Sequence, residues 1–251
     1  ISPFNVTGSE KNKWDKDSRW WSTPYTSDNC WFTGFSHVNL SGVGCPDLGT
    51  IITMPTSGEL TTDYKLYGSD YTGETAQPGY YALKLSKYDI MAEVASTMRS
   101  SIERYTYRKG KAHVIVNLGQ GLTNESGGFI RKVSDTEIEG MRLCGGFCYH
   151  SQAVFPQYFV IRVNKIPKEA GFWKKQPNMT AEAEWDEHAG KYKVYTDYAR
   201  EMAGDDLGYR FTFDTEDGEQ ICVQMGVSFV SCDNARQNLD AEQLGCNFDQ
   251  V

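Results

Sequence analysis

Short runs of β-branched and aromatic residues alternate with clusters of Gly, Asp and Asn along this chain from residue 51 onward. Runs of about four to eight such residues, separated by turn residues, are typical of the strands of an antiparallel sandwich. Few segments carry the periodicity of a helix. With 251 residues the chain is long enough to bury one large core. We therefore predict an all-β fold built as one large antiparallel β-sandwich.

The pattern also predicts individual strands. Residues 80–85 and 90–97 are predicted strands joined by the polar turn 86–89, and further strands are predicted at 102–107 and 113–118. In the last of these strands, Val114 and Val116 share one face, and His113 lies on the other. We expect His113 to be a histidine whose hydrogen bonds are satisfied within the sheet.

Two tight reversals and one helical segment are predicted as well. Asp217-Gly218 can adopt the positive φ angles of a tight turn, so residues 209–213 and 221–230 are predicted to pair as a hairpin. The basic stretch 108–111 lies between two strand-like runs and is predicted to be another exposed hairpin turn. Near the end of the chain, helix-compatible spacing is broken at Gly245 and indicates a linker.

The acidic composition argues against nucleic acid as a partner. The formal net charge is -8 and the pI is about 5.1, and no long run supplies the clustered Lys and Arg that phosphate contacts require. No apolar run approaches the roughly 20 residues that cross a bilayer, so we expect no membrane insertion. The first residues also lack the charged and apolar regions of a signal peptide.

The seven cysteines form an odd set without the dense, regular spacing of a disulfide scaffold. Cys144 and Cys148 have a Cys-x3-Cys spacing with His150 nearby, but a second ligand pair is missing from the sequence pattern. Zinc binding is therefore not predicted, and no metal ligand is assigned to this chain.

Residues 34–47 read Gly-Phe-Ser-His-Val-Asn-Leu-Ser-Gly-Val-Gly-Cys-Pro-Asp, which predicts a shaped loop rather than a core strand. Its glycines allow unusual backbone conformations, and its polar side chains supply hydrogen-bond donors and acceptors within a short span. Such a loop can grip a polyhydroxyl ligand, whereas the alternative is a connection whose polar groups satisfy its own backbone. The candidate substrate-binding residues of the loop are His37, Asn39, Ser41, Cys45 and Asp47.

The sequence leaves two roles open for His37 and assigns no catalytic role to Cys45. A neutral His37 can bind a pair of sugar hydroxyls, or it can orient the loop by bonding to a backbone carbonyl, and both roles stay open. Cys45 is included for its place in the loop, because no adjacent base marks it as a nucleophile.

Four of the six tryptophans lie within the first 31 residues. The apolar face of a pyranose can stack on an aromatic ring, which combines area burial with weakly polarised C–H groups. Trp20, Trp21 and Trp31 are the candidates for such a platform, and the alternative for each is packing in the core.

Residues 34–44 resemble the Gly-Phe-Ser-His-Thr-His-Leu-Ser-Gly-Thr-Gly signature near the start of glycoside hydrolase family 92, the calcium-dependent exo-acting α-mannosidases. Asn39 stands where the family more often has a second histidine. Supporting matches follow in the same order at residues 78–81, 92–94, 97–99, 226–231, 234–236 and 238–242. The resemblance spans almost the whole chain.

This resemblance implies a place in a larger enzyme. It implies an N-terminal sandwich of the galactose mutarotase-like supersandwich type, followed by helical linker segments and an (α/α) barrel catalytic domain. We accordingly expect residues 1–233 to form the sandwich and residues 234–251 to begin the linker to the missing barrel. The resemblance also implies an exported bacterial enzyme, whether periplasmic, secreted or outer-membrane-associated.

The resemblance further implies that the catalytic acid, the catalytic base and the calcium ligands belong to the barrel, so no catalytic residue is assigned here. Inverting glycosidases place two carboxyl groups about 6.5 to 9.5 Å apart. No acidic residue of this chain sits in a motif that predicts such a pair. We expect the fragment alone to be inactive, to dock on its own C-terminal catalytic domain, and to complete the pocket for α-mannoside glycans with the loop 34–47.

Two other functions stay open. A free-standing carbohydrate-binding domain requires the tryptophans and the loop to form a complete site without a partner. An aldose epimerase of the mutarotase type requires a histidine acid and a glutamate base facing one sugar. The histidines of the chain are His37, His113, His150 and His188, and none has a recognisable glutamate partner by spacing.

Overall fold

The computed structural model describes residues 2–4, 30–39, 48–121, 127–145, 154–175, 191–196, 199–243, 245 and 247–251. Every strand pairing among these residues is antiparallel, and the strands form two large sheets. The predicted all-β sandwich is therefore confirmed.

The first sheet has seven strands within the described residues. In spatial order they are β1 (Ser2–Phe4), β3 (Gly34–Asn39), β4 (Leu48–Ser57), β9 (Gly110–Asn117), β16 (Leu207–Thr215), β13 (Glu169–Lys175) and β14 (Tyr192–Thr196). The long central strands are rich in β-branched and aromatic residues, which suit a pleated surface buried on both faces.

The second sheet has ten strands within the described residues. Their spatial order is β15 (Glu201–Gly204), β10 (Gly128–Lys132), β11 (Glu137–Gly145), β12 (Val154–Val163), β17 (Glu219–Ser228), β8 (Ser100–Tyr107), β7 (Ile90–Ser96), β6 (Tyr80–Leu85), β5 (Ser69–Gln77) and β2 (Trp31–Phe32). The predicted strands at 80–85, 90–97, 102–107 and 113–118 correspond to β6, β7, β8 and β9, with ends displaced by up to three residues.

The hairpin predicted between residues 209–213 and 221–230 is wrong. These segments lie in β16 and β17, which belong to different sheets, so Asp217-Gly218 connects the sheets instead of folding one strand onto the other. Gly218 does have the expected positive φ of 77°. The predicted reversal at 108–111 likewise connects the sheets, because it links β8 in the second sheet to β9 in the first.

The β8–β9 and β16–β17 connections run side by side. They form the corner of one continuous two-stranded ribbon, in which β8 and β9 pair with β17 and β16. β8 pairs with β17 from Ser100 opposite Gly226 to Tyr107 opposite Glu219. β9 continues the pairing with β16, from Gly110 opposite Thr215 to Asn117 opposite Gly208. Strands that switch sheets at a bend form such corners in sandwiches. The sequence showed the turn residues, but it did not show that the ribbon bends there.

The main core lies between the two sheets. Phe35 of the first sheet stacks on Tyr105 of the second, with ring centroids 6.4 Å apart. Along β8, Glu103, Tyr105 and Tyr107 share the face that points into this core, as the two-residue period of a strand requires. Glu103 is fully buried, so one carboxylate lies among the apolar side chains.

Helices are short within the described residues. α1 (Tyr64–Tyr67) is capped by the side chain of Asp63, and α2 (Cys232–Glu242) is capped by Ser231, whose hydroxyl accepts a hydrogen bond from the Asn234 amide. No described helix is long and apolar enough to cross a membrane. α2 packs against β17 and β12 through Ala235 and Leu239, and a 3₁₀ turn (Phe248–Gln250) follows. The boundary predicted between residues 233 and 234 stays a prediction.

His113 is a satisfied sheet histidine, as expected. Its Nδ1 lies 2.9 Å from Thr212 Oγ1 and its Nε2 lies 3.0 Å from the carbonyl oxygen of Gly58. Burial disfavours the imidazolium and lowers the pKa of His113, and the charge of Arg210 acts in the same direction.

We predict that His113 makes the fold less stable in mild acid. Its pKa is depressed in the folded state, so its contribution is complete above the usual histidine pKa of about 6.5 and is lost as the pH falls below that value. Chemical denaturation between about pH 8 and pH 5 should show a smaller loss of stability for His113→Gln than for the natural chain. Parallel pH profiles for the two proteins would contradict this assignment.

Candidate functional site

A cavity of about 500 Å³ opens at one end of the sandwich, where both sheets and α2 meet. Its described lining consists of His37, Val38, Asn39, residues 96–101, Gln157, Met225, residues 227–230, Asn234 and Asn238. These residues come from the end of β3, the β7–β8 turn, β12, the end of β17 and α2. Segments that lie far apart in the chain, including 37–39, 97–99 and 227–230, therefore form one surface.

The prediction that residues 34–47 form a loop rather than a core strand is wrong for residues 34–39, which form the largely buried strand β3 between β1 and β4. Residues 40–47 lie outside the described residues. The end of β3 places His37 in the wall of the cavity. The pairing of β3 with β4 shifts register between Phe35 and His37, which marks a bulge or irregularity. Bulges re-aim side chains, and His37 is only 3% exposed although it lies near the end of its strand. Its imidazole therefore points into the protein while its residue borders the cavity.

Both ring nitrogens of His37 face oxygen atoms of the protein. Nδ1 lies 2.6 Å from the carbonyl oxygen of Ile51, and because a carbonyl oxygen only accepts, Nδ1 is the donor. Nε2 lies 2.9 Å from Oε1 of Glu103, off the direction of an ideal N–H hydrogen bond. Of the two roles left open for His37, these contacts favour orientation by a backbone carbonyl over direct binding of sugar hydroxyls.

The backbone around this histidine is strained. Val38, Leu48 and Ile51 have φ angles of 56°, 61° and 53°, a region that residues other than glycine seldom adopt and that is unusual for β-branched side chains. Such strain persists only where surrounding contacts enforce it, and it is concentrated at functional sites. The hydrogen bond from His37 to the Ile51 carbonyl is one such contact.

The β7–β8 turn is held in place by one carboxylate from α2. Glu242 accepts hydrogen bonds from the Thr97 hydroxyl, from the Arg99 amide at 2.9 Å and from the Ser100 hydroxyl at 3.2 Å. It also accepts from Arg99 Nε at 2.7 Å. Burial disfavours the ionised form of Glu242, but these hydrogen bonds outweigh it and lower the pKa of the carboxyl.

The rim of the cavity is apolar and exposed. Met98, Val230 and Phe229 are 89%, 72% and 51% exposed, and all three line the opening. Neighbouring exposed apolar residues of this kind mark surfaces that meet a partner more often than isolated ones do.

The cavity offers hydrogen-bond donors and no carboxylate among its described lining residues. Gln157 is fully buried, and its Oε1 accepts from the Thr50 hydroxyl at 2.7 Å. Among the described residues, neither its Nε2 nor the buried hydroxyl of Ser101 has a hydrogen-bond partner. Unpaired buried donors are costly and call for an explanation. This surface can therefore position an oxygen-rich group, but it contains no pair of carboxylates for acid–base catalysis.

The predicted binding residues are only partly described. His37 and Asn39 both line the cavity, and the Asn39 side chain folds back onto Ser36, whose hydroxyl donates to Asn39 Oδ1 at 3.1 Å. Trp31 does not line it, and its ring lies over Gly68, where an added Cβ would stand 2.3 Å from the indole. Trp20, Trp21, Ser41, Cys45 and Asp47 lie outside the described residues. The binding roles of all eight residues stay predictions.

Sequence reasoning missed Glu103, Gln157 and Glu242 as parts of this site. Glu103 contacts His37 across 66 positions of the chain, a separation at which no spacing rule applies. Its place in β8, two residues before Tyr105 in an inward-facing series, was the one available signal. The pair does not support the epimerase alternative, because its two members face each other instead of a shared ligand.

The described residues do not fit a calcium site. Ca²⁺ takes six to eight oxygen ligands, most often including carboxylates. The described part of the chain contains no group of three or more His, Cys, Asp and Glu residues that could hold a metal ion.

We predict that Glu242→Gln loosens the cavity wall. Replacing a hydrogen-bonded, largely buried carboxylate by an amide should lower the free energy of unfolding by about 1–2 kcal/mol near neutral pH. Because the pKa of Glu242 is lowered in the folded state, this difference should shrink as the pH falls below about 4. Glu216, which forms an exposed ion pair with Lys109, provides the control. Glu216→Gln should lower the free energy of unfolding by well under 1 kcal/mol. Equal costs for the two variants would refute the anchoring role.

Comparison with known proteins shows which family the chain resembles. A family model described as the glycosyl hydrolase family 92 N-terminal domain matches residues 6–228. A search of the curated proteins found no match.

Among solved structures, the chain is similar to the family GH92 α-mannosidase BT3965 from Bacteroides thetaiotaomicron, at 27% identity and a TM-score of 0.76 over 91% of this chain and 30% of that chain. The same α-mannosidase in complex with mannoimidazole gives 26% identity and a TM-score of 0.76 over 98% and 32% of the two chains. The family GH92 inverting mannosidase BT2199 from Bacteroides thetaiotaomicron VPI-5482 shares the fold, with 19% identity and a TM-score of 0.73 over 93% of this chain and 28% of that chain.

This chain thus spans less than a third of the length of the solved mannosidases it matches. The family model, in contrast, covers most of this chain and includes all the described strands of the two sheets except β1. The chain belongs to glycoside hydrolase family 92, in which it corresponds to the N-terminal domain.

Proposed function

We propose that this domain docks on the catalytic domain of an inverting exo-α-mannosidase and that its cavity completes the mannoside-binding pocket. The observation that carries the proposal is the composition of the cavity wall. Parts of several segments on which the family resemblance rests line the cavity, namely residues 37–39, 97–99, 227–230, 234 and 238. The described lining is rich in donors and free of carboxylates. A wall of this kind complements a site whose acid and base come from elsewhere.

The role of the domain in this proposal is positional. Buried donors such as Gln157 Nε2 and Ser101 Oγ lack partners within the described residues, and an oxygen-rich ligand supplies acceptors for groups of this kind. Fixing a substrate in a productive geometry supplies a large part of catalysis, and an error of about 1 Å can cost about 100-fold in rate. The substrate-binding roles predicted from the sequence for Trp20, Trp21, Ser41, Cys45 and Asp47 are part of the same proposal.

Docking is supported by the apolar rim. Interfaces between domains within one chain bury roughly 600–1,500 Å² and resemble protein–protein interfaces. Met98, Phe229 and Val230 expose apolar surface beside the cavity, so a domain that covered them would also close the cavity mouth. The proton-transfer groups and the calcium ligands would then belong to that second domain, and the parent enzyme would be an exported bacterial protein.

We predict that mannose release requires the second domain. A protein extended past Val251 through the following domain should release mannose from simple α-mannosides in a calcium-dependent manner, and the 251-residue chain should release none. Release by the 251-residue chain would overturn the positional role. A second experiment is calorimetric titration of the 251-residue chain with mannose. Binding of mannose by this isolated chain would favour a free-standing carbohydrate-binding domain.

We predict that the rim residue Val230 is sensitive to charge only in the extended protein. Val230→Asp should destabilise the extended protein by about 1 kcal/mol or more, because burying a charge in an apolar interface is costly. In the 251-residue chain the same exposed position should tolerate the change within about 0.5 kcal/mol.

Ile166 provides the matched control for this variant. It is 69% exposed and does not line the cavity, so Ile166→Asp should have little effect in either protein. Docking through the rim would be excluded if thermal denaturation showed the same change for Val230→Asp and Ile166→Asp in the extended protein.

A further inference from the structure

A row of residues crosses the outer face of the second sheet. Each member lies directly opposite the next in the strand register, across the neighbouring strands β11, β12, β17, β8, β7 and β6. Because side chains alternate along a strand, this cross-strand row lies on the face of β8 that points away from the core-facing Glu103 and Tyr105. In strand order, the row consists of Glu137, Arg162, Gln224, Ile102, Ala95 and Tyr80.

α2 contacts the first two strands of the cross-strand row. Arg236 donates to Glu137 Oε1 at 3.0 Å, and Arg162 donates to Asp240. Each of these ion pairs joins the helix to a member of the row. The helix also packs against β17 and β12, so it lies across these strands.

The chain continues along the row after α2. Gln224 Nε2 donates to Gln243 Oε1 and to the carbonyl oxygen of Gly245, each at 3.0 Å. Gln243 is buried and also donates to the Ser100 hydroxyl of β8 at 2.9 Å. The chain therefore meets β11, β12, β17 and β8 in the order in which it runs.

Phe248 packs on the last members of the row. It is 8% exposed and forms a small apolar cluster with Ile102 and Ala95, against which Tyr80 packs. The rings of Phe248 and Tyr80 meet edge to face, with centroids 6.2 Å apart. This cluster is separate from the main core. The segment that follows α2 thus has an apolar anchor of its own.

Arg104 of β8 completes this anchor. Its guanidinium carbon lies 4.2 Å from the centroid of the Phe248 ring, and its Nη1 donates to Asp249 at 3.0 Å. Glu93, directly opposite on β7, accepts from Nε and Nη2 of Arg104, each at 2.8 Å. A bidentate carboxylate fixes the orientation of a guanidinium, and a guanidinium stacks well on an aromatic face. The sheet therefore holds Arg104 in the position that Phe248 covers.

We propose that the described residues between 231 and 249 form a strap that belongs to the sandwich, and that Arg104 is the positioning residue that fixes its far end. The strap ties six strands together and holds α2, whose Asn234 and Asn238 line the cavity. The segment that the sequence assigns to a linker is then fixed to the sheet. In the two-domain enzyme of the proposed function, the flexible joint between the domains would lie after Asp249. This last consequence rests on the proposed function, whereas the strap itself does not.

Backbone relaxation measurements by NMR test the strap in the ¹⁵N-labelled 251-residue chain. Order parameters of about 0.85 mark a rigid backbone, and values below about 0.6 mark a flexible one. Residues 247–249 should be as rigid as α2. Flexible residues 247–249 in the natural chain would overturn the proposal without any variant.

Phe248→Ala and Arg104→Gln test the anchor. Each should make residues 247–249 flexible, with order parameters below about 0.6, while α2 keeps its own contacts and stays rigid. Arg108→Gln is the matched control, because Arg108 lies next to β8 but forms its ion pairs away from the strap. The control should leave residues 247–249 rigid. A folded Arg104→Gln protein in which these residues stay rigid would show that Arg104 does not fix them.

Limited proteolysis of the extended protein tests the position of the joint. A protease of broad specificity should make its cuts between the two domains after residue 249. Cuts within residues 231–249 would contradict both the joint and the fixed strap. Absence of calcium-dependent mannose release from an extended protein that shows the expected cuts would count against the proposed function alone, so the two failures are distinguishable.

Discussion

The structure depends on one antiparallel ribbon that passes through both sheets. Its pairing runs from Ser100 opposite Gly226 in the second sheet to Asn117 opposite Gly208 in the first, with a corner between. At the corner the Thr215 hydroxyl donates to the Arg108 carbonyl and the Gly218 amide donates to the Tyr107 carbonyl. Because side chains alternate along a strand, a slip of one residue would turn the core-facing series of β8 outward. The ribbon thereby sets the packing of one sheet on the other.

The same ribbon determines where the cavity lies. Its end at Ser100 and Gly226 is the point from which the β7–β8 turn and the end of β17 extend, and both line the cavity. α2 then closes one side by packing on β17, and its Glu242 binds the turn. The apolar rim is thus presented by short segments that are anchored to the longest continuous pairing among the described strands.

Acidic side chains contact the residues that line the cavity, but none of them belongs to its described lining. The chain carries a formal net charge of -8, yet the described lining of the cavity contains no Asp or Glu. Arg99 and His37 border the cavity, and each has a carboxylate partner, Glu242 and Glu103, that is not part of its lining. The described surface of the cavity therefore consists of hydrogen-bond donors and apolar groups, with the carboxylates placed outside it.

The sequence by itself determined the fold class, the positions of six strands (β6, β7, β8, β9, β16 and β17) and the family, because strand periodicity and turn residues are local properties and the segment 34–47 carries a distinctive motif. The predicted hairpin at Asp217-Gly218 was wrong for the same reason: a turn is a local signal, whereas the sheet that the next strand joins depends on distant strands. Only the tertiary structure decided that His37 meets Glu103, that Thr50 orients Gln157, and that α2 binds the β7–β8 turn. These contacts join residues 66 to 143 positions apart, where sequence spacing carries no information about geometry.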